Sequence, residues 1–314
     1  MYDKVSIFAE RALIGADCTT IANYLDTAND VTDRQTGECR IYGSLQGLKV
    51  SIYPNGVYIV GSLPKFLHCG SNIYPIRRSQ TAEAIEAISD LLHFSIECAD
   101  VTGLEVGANF VLKYEPLRYL SRLGEMPYLK RFQLEATSLY YKGIGRKQPK
   151  VFNLYDKIAD AKAKGMEIPP GFEDANLLRY EMRLKGRLTK QLKCGEVKAA
   201  NLSQPTFYRA IVKRWQDAYF SISKTYLNQS DMSQIKTPKG AFDCLVARLL
   251  AQSEENTIAS FFEELKQRGV FTHRSDFTRL RKMIAEVSSK NGQILPDELI
   301  KELDDEVKNV GAFL

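Results

Sequence analysis

Val151-Phe152-Asn153-Leu154-Tyr155-Asp156-Lys157 alternates along its whole length. Successive side chains on a strand point to opposite faces. Phe152, Leu154 and Asp156 therefore take one side, and Val151, Asn153, Tyr155 and Lys157 the other. The second face carries an amide, a phenol and an ammonium in a row, an odd surface for a strand with no task. Tyr155 reads as a candidate nucleophile with Lys157 beside it.

Two further segments alternate in the same way. In Thr102 to Phe110, Leu104, Val106, Ala108 and Phe110 make an apolar face, leaving Glu105, Gly107 and Asn109 on the other. In Leu177 to Leu184, Leu178, Tyr180, Met182 and Leu184 face a core while Arg179, Glu181 and Arg183 face away. If the three strands are neighbours, their polar faces merge into one site. Carboxylates with room left by Gly107 suit a hard divalent cation, Mg²⁺ or Mn²⁺, and the expected ligands are Glu105, Glu181 and Asn109. A tyrosine is a poor nucleophile at its ordinary pKa near 10, and a neighbouring cation and a metal on the phosphate are the usual remedies. Phosphodiester transesterification, with a tyrosyl oxygen attacking phosphorus, is chemistry of this shape. Taken singly, each residue also has a plain reading: a solvated strand glutamate, a surface ion-pair ladder, a half-buried tyrosine.

Outward from these strands, Lys4 to Glu10 reads as a first strand, and Cys39 to Leu45, Leu48 to Tyr53 and Val57 to Ser62 as a meander. Pro54-Asn55-Gly56 supplies a strong hairpin signal. Gln80 to Phe94 shows a helical apolar stripe of Ala84, Ile85, Ile88, Leu91 and Leu92, with Ser79 or Thr81 as cap. Pro116 to Leu123 reads as a short helix, Phe132 to Tyr141 as a strand, and Asp156 to Gly165 as a helix stopped by Pro169-Pro170-Gly171. From Lys185 the pattern turns helical: Gln204 to Tyr226, Gly240 to Ser253, Asn256 to Gln267, Ser275 to Ser288 and Asp297 to Val307. The expected fold is α+β. It has a mainly antiparallel sheet with packed helices over residues 1–195 and an all-helical domain, for DNA binding or interaction, over 196–314.

Composition bounds the function. The 314 residues suit about two domains, and 44% hydrophobic content is enough for a core. The net charge of +5 matters less than its placement. Arg146, Lys147 and Lys150 precede Tyr155, and Arg179, Arg183, Lys185 and Arg187 run through and past the Glu181 strand; these are the expected DNA contacts. Phe207 to Phe220 interleaves aromatics with Arg209, Lys213 and Arg214, a pattern open between base stacking and an ordinary amphipathic helix with its aromatics in the core. Thr272 to Lys282 is a weaker candidate for DNA contact. The six cysteines stand singly, against a zinc ribbon or disulfide framework. No signal peptide or membrane span is read, so a cytoplasmic protein without membrane contact is expected. Only His68, His93 and His273 exist and none forms a His-x-His pair. A metal held by paired strand histidines, as in the HUH endonucleases, is thereby excluded; a contribution from His68 stays open.

Thr102-Gly103-Leu104-Glu105, Tyr155-Asp156-Lys157 and Arg179-Tyr180-Glu181-Met182-Arg183-Leu184-Lys185 occur in the order found in one family. Over residues 1 to 193 the chain resembles rolling-circle replication initiators: filamentous-phage gene II type replication proteins and, more distantly, the Rep proteins of small staphylococcal plasmids. Gly61-Ser62-Leu63-Pro64-Lys65-Phe66 also looks like the gene II type. The sequence departs from the pattern at Glu105, where aspartate is usual, and at Gly103, where arginine is usual. The resemblance implies a Rep-type nuclease domain with nucleophile Tyr155, supporting Lys157, and metal carboxylates Glu105 and Glu181. It implies origin-specific nicking of phage or plasmid DNA, single-stranded or supercoiled, in a bacterial host. A 5′-phosphotyrosine link would form, and a host helicase and polymerase would be partners, with a homodimer allowed. The alternatives are a non-catalytic DNA-binding replicon-control protein and a mobilisation relaxase.

Overall fold

In the computed structural model the described residues are 1–15, 17–134, 137–145, 148–224, 236–252, 255–271, 273–290 and 298–310. The strands are β1 (Tyr2–Glu10), β2 (Thr27–Thr32), β3 (Cys39–Leu45), β4 (Leu48–Tyr53), β5 (Gly56–Ser62), β6 (Asp100–Val111), β7 (Lys130–Leu134), β8 (Ser138–Lys142), β9 (Lys150–Asp156) and β10 (Leu177–Lys185). The helices are α1 (Arg11–Ile14), α2 (Leu63–Leu67), α3 (Arg78–Leu92), α4 (Pro116–Leu120), α5 (Lys157–Ala163), α6 (Leu188–Leu192), α7 (Pro205–Phe220), α8 (Pro238–Gln252), α9 (Glu255–Gln267), α10 (Arg274–Lys290) and α11 (Glu298–Asn309). The fold is α+β, built on one large antiparallel sheet.

That sheet has ten strands in the order β2-β3-β4-β5-β1-β6-β10-β9-β8-β7. The meander read from the sequence is its first half, with β2 added at the edge. The segment expected as one strand over Phe132 to Tyr141 is instead the β7–β8 hairpin, Lys130 pairing with Lys142 and Leu134 with Ser138. Insertion of β1 between β5 and β6 joins the halves. β10 lies between β6 and β9, so the three polar strands are adjacent. Arg179 stands opposite both Asn109 and Tyr155, and Arg183 opposite Glu105.

One face of this half of the sheet is covered by α7. Phe110 and Tyr180 pack on Trp215 at 6.2 and 4.6 Å between ring centres, and the Tyr180 hydroxyl donates to the Trp215 carbonyl at 3.2 Å. Tyr208, Ile211, Val212, Trp215 and Tyr219 are all buried, so the aromatics of this helix are mainly core. Its apolar positions recur at helical spacing and face inward because that stripe is what the sheet can shield from water. Residues of α11 complete the unit: Tyr219 donates to Asp304 at 2.8 Å, and the Gln216 amide donates to the Val307 carbonyl at 2.9 Å.

The chain divides into two compact units, Met1–Ser223 with Glu302–Leu314, and Lys224–Lys301. The boundary expected at 195/196 falls inside the first unit, because α7 is needed to cover the sheet. The second unit contains α8, α9 and α10, with Arg281 over the Phe262 ring at 5.1 Å and Phe271 edge-on to Phe277. Among the described residues no helix is long and apolar enough to cross a membrane.

Candidate active site

The face of the sheet opposite α7 carries a groove of about 680 Å³. Asp3, Glu105 and Glu181 meet there; one carboxylate oxygen from each lies within 4.8 Å of the others. Glu105 and Glu181 come from the expected strands. Asp3 was not legible, because plain alternation puts it with Val5 and Ile7 in the core. The register of β1 on β6 slips between Tyr2 and Val5, so that Asp3 and Lys4 together face the single residue Glu105. This bulge turns Asp3 toward the groove that Lys4 and Ser6 also line. Gly107 makes the needed space. A Cβ there would lie 3.1 Å from the Glu181 side chain and 3.1 Å from the Tyr180 carbonyl oxygen.

Tyr155 donates its phenol hydrogen to Glu181 Oε1 at 2.8 Å, inside the cluster. Burial and the Glu181 charge push its pKa far above the ordinary value, so at rest it is a neutral phenol. Burial alone would raise the Glu181 pKa too, but Arg179 and Arg183 outweigh it and hold this carboxyl at about 2. Arg179 donates to Glu181 Oε1 at 2.5 Å, to Asn109 Oδ1 at 2.8 Å and to Asp3 Oδ2. Arg183 donates to Glu181 Oε2 at 2.6 Å and makes an ion pair with Glu105 at 3.0 Å. Three carboxylates thus face two guanidiniums. The least compensated, Glu105, is pushed up to about 7 by burial and by the neighbouring Glu181.

Several expected roles change with the geometry. Asn109 is not with the carboxylates: it accepts from Arg179 and donates to the Ile73 carbonyl at 2.6 Å, bracing the site from behind. Arg179, expected at DNA, is 3% exposed with its donors engaged internally on carboxylates, Asn109 and the Asn72 carbonyl. Lys150 lies on the other face, 4.7 Å above the Phe152 ring and near Arg214. Lys157 is not on the strand. β9 stops at Asp156, whose carboxylate accepts from the backbone N–H groups of Ile158 and Ala159 and starts α5. Lys157 nevertheless lines the groove with Tyr155, and burial, then Arg179, draw its pKa down to about 8. Arg183 and Lys185 also line the groove, whereas Arg187 is exposed at the N-cap of α6 and does not. Arg146 and Lys147 lie outside the described residues. His68 ends α2 against Tyr74 and is not part of the groove wall.

The groove also has walls that sequence reasoning missed. Ser62 donates to Asp3 at 2.5 Å, and the Asn72 amide donates to the other Asp3 oxygen at 3.0 Å. Lys4, Lys49, Lys65 and Lys185 line the groove from β1, β4, α2 and β10, and Lys157 and Lys164 from the start and the C-cap of α5. Lys157 and Lys185 were expected, and with Ser62 and Lys65 they fall in segments singled out for their resemblance; Lys4, Lys49 and Lys164 are scattered along the chain and stand in no motif. The donor set fits a hard divalent cation, being all oxygen. Asn72 also lines the groove, and its buried Oδ1 has no hydrogen-bond partner, leaving a further oxygen unclaimed beside Asp3.

Comparison with protein-family models and with curated proteins finds no match. Among solved structures, the chain is similar to a rolling circle replication initiator protein from Geobacillus stearothermophilus. The TM-score is 0.40 and the identity 10%, covering 69% of this chain and 84% of that one.

Proposed function

We propose that the protein is a metal-dependent tyrosine DNA endonuclease that nicks one strand at a replication origin and stays linked to the cut end. The observation that carries this reading is the Tyr155 hydroxyl, 2.8 Å from Glu181 within a three-carboxylate cluster, on the floor of a lysine-walled groove. Tyr155 Oη would attack phosphorus and lose its proton as the new P–O bond forms. The P–O3′ bond would break, leaving a 5′-phosphotyrosine and a free 3′-OH that takes up a proton. The lysines would hold the backbone phosphates, and Lys157 adds positive charge beside the phenol as it ionises. Arg179 keeps Glu181 ionised and holds the Asp3 and Glu181 carboxylates in place without touching substrate.

Asp3, Glu105 and Glu181, with Asn72 beside them, would hold Mg²⁺ or Mn²⁺. Bound there, the ion would polarise the phosphate and favour phenolate. Arg183 has a third of its side chain exposed and can yield its place on Glu105 and Glu181 to the ion. A need for a cation is supported by the resting state, in which Glu181, held well below the usual carboxylate range by Arg179 and Arg183, is too weak a base to ionise Tyr155 by itself.

That same weakness favours one other reading, a DNA-binding protein that does not cleave. Incubation with supercoiled origin-bearing DNA and Mn²⁺ decides between them. The expected result is nicked circles and a protein–DNA adduct, both abolished by EDTA and reduced on the order of 10³-fold or more in Tyr155→Phe. An adduct formed by Tyr155→Phe would remove Tyr155 as nucleophile. Salt-sensitive binding by the wild type with no cut strand would establish the non-cleaving reading.

A further inference from the structure

The groove side of the sheet continues past the groove as a row of aromatic rings. Tyr42 pairs with Ser51, Ser51 with Tyr58, and Tyr58 with Phe8, directly opposite one another across β3, β4, β5 and β1. Tyr53 fills the diagonal, edge-on to Tyr42 at 6.2 Å and to Tyr58 at 5.5 Å, and Phe8 and Tyr58 are 4.4 Å apart. The Arg40 guanidinium lies 5.9 Å from the Tyr53 ring centre. None of the four rings is buried, and Tyr42 is 38% exposed. On the reverse face, Ile41, Val50, Ile52, Val57 and Ile59 are all buried, so the core does not need these rings.

One step along the same face, Lys49 pairs with Val60, and both line the groove. The aromatic row and the candidate site therefore share an edge. Cross-strand aromatic pairs do stabilise sheets. Here they form a broad, partly exposed surface with an arginine over one ring and lysines at the near margin. Acids also border it: Glu38 pairs with Arg40, Asp100 pairs with Lys198, and Glu10 lies in line with Tyr53 across Gly56 at the far margin.

We propose that Tyr42, Tyr53, Tyr58 and Phe8 form a stacking platform for the unpaired bases of a single DNA strand whose backbone runs through the adjoining groove. Every base has a π-face, so such a platform grips a strand with little regard to sequence. A duplex hides those faces, so the platform would prefer strands that are already open. The inference rests on DNA being the substrate of the groove.

The test is fluorescence anisotropy with labelled oligothymidylate and with an abasic oligonucleotide of the same length, at fixed ionic strength. Wild type should bind the base-bearing strand at least about 10-fold more tightly than the abasic one. Tyr53→Ala and Tyr42→Ala should each reduce that preference by about 10-fold while leaving abasic binding within about twofold, and Tyr53→Trp should restore it. Equal binding of the two strands by wild type, or a preference unchanged in both alanine variants, would overturn the platform. In that case Lys49→Ala and Lys65→Ala would still weaken both strands if the groove takes DNA. Failure to bind either strand would remove the groove reading as well. If the alanine variants instead lose a dimer seen by sedimentation and keep their strand preference, the face belongs to a second copy of the chain and the platform is overturned.

Discussion

Strand β10 separates two interiors that are almost equally dry and cohere for opposite reasons. Toward α7, Leu178, Tyr180, Met182 and Leu184 are fully buried among rings and aliphatic chains. Toward the groove, Arg179 and Glu181 are 3% and 1% exposed, held by ion pairs with Asp3, Arg183 and each other. On the first side what matters is volume filled. On the second it is charge balanced, since an unpaired buried ion costs several kcal/mol while a paired one adds little net stability. Such a charged interior adds little net stability of its own, and it lies at the groove where the proposed site is placed.

Three measurements sharpen that contrast. Trp215→Ala removes the largest fully buried side chain from the apolar side and should cost about 4 kcal/mol in urea unfolding, nearly independent of pH. A cost under about 1 kcal/mol would mean α7 is not the cover of this sheet.

Arg179→Met keeps volume but leaves Asp3 without its guanidinium and Glu181 with Arg183 alone, and should cost about 3 kcal/mol at neutral pH. Its pH dependence distinguishes it. In the wild type, Glu181 is held at about 2, below its ordinary 4.5, so it contributes stability above pH 4.5 that is lost as pH falls toward 2. Without Arg179 only the part that Arg183 supplies remains, so the deficit should shrink in acid. A deficit that stays constant from pH 7 to acid would count against the ionic description of this interior.

Glu105→Gln should have an effect of the opposite sign. Glu105 is held at about 7 rather than 4.5, so the native state binds its proton more tightly and the wild type loses stability as pH rises from 4.5 through 7. The variant escapes this loss. It should be more stable by on the order of 3 kcal/mol above pH 7 and no different below pH 4.5. Mn²⁺ should raise the melting temperature of the wild type at pH 8, more than at pH 6 because ligands must be deprotonated, and should raise that of Glu105→Gln less. Identical melting of the wild type in Mn²⁺ and EDTA at pH 8 would dismiss the cation site.

Much of this was legible along the chain because strand alternation is local. Each side chain's face depends only on its neighbours, so Tyr155, Glu105, Arg179 and Glu181 could be assigned to polar faces without knowing the partner strands. Likewise the helical stripe of Ala84, Ile85 and Ile88 and the turn at Asn55-Gly56 announce themselves within a few residues. What the amino-acid sequence determined alone was therefore most of the strands and the longer helices, the α+β class, and the polar faces that carry Tyr155, Glu105 and Glu181.

Tertiary structure decided the rest, because it depends on contacts between residues far apart in the chain. A bulge opposite Glu105 turned Asp3 from core to groove, and alternation cannot announce its own interruption. Arg179 reads as a surface cation until Asp3, Asn72 and Asn109 close around it from distant segments. Lys150 has the right charge and position along the chain but the wrong face, since its alternation partners are Phe152 and Leu154. The lysines around the groove come from β1, α2, β4, β10, and α5 with its C-cap, and form a group only once β1 is inserted at the centre of the sheet. Local chemistry chose the faces; long-range pairing chose which of them would meet.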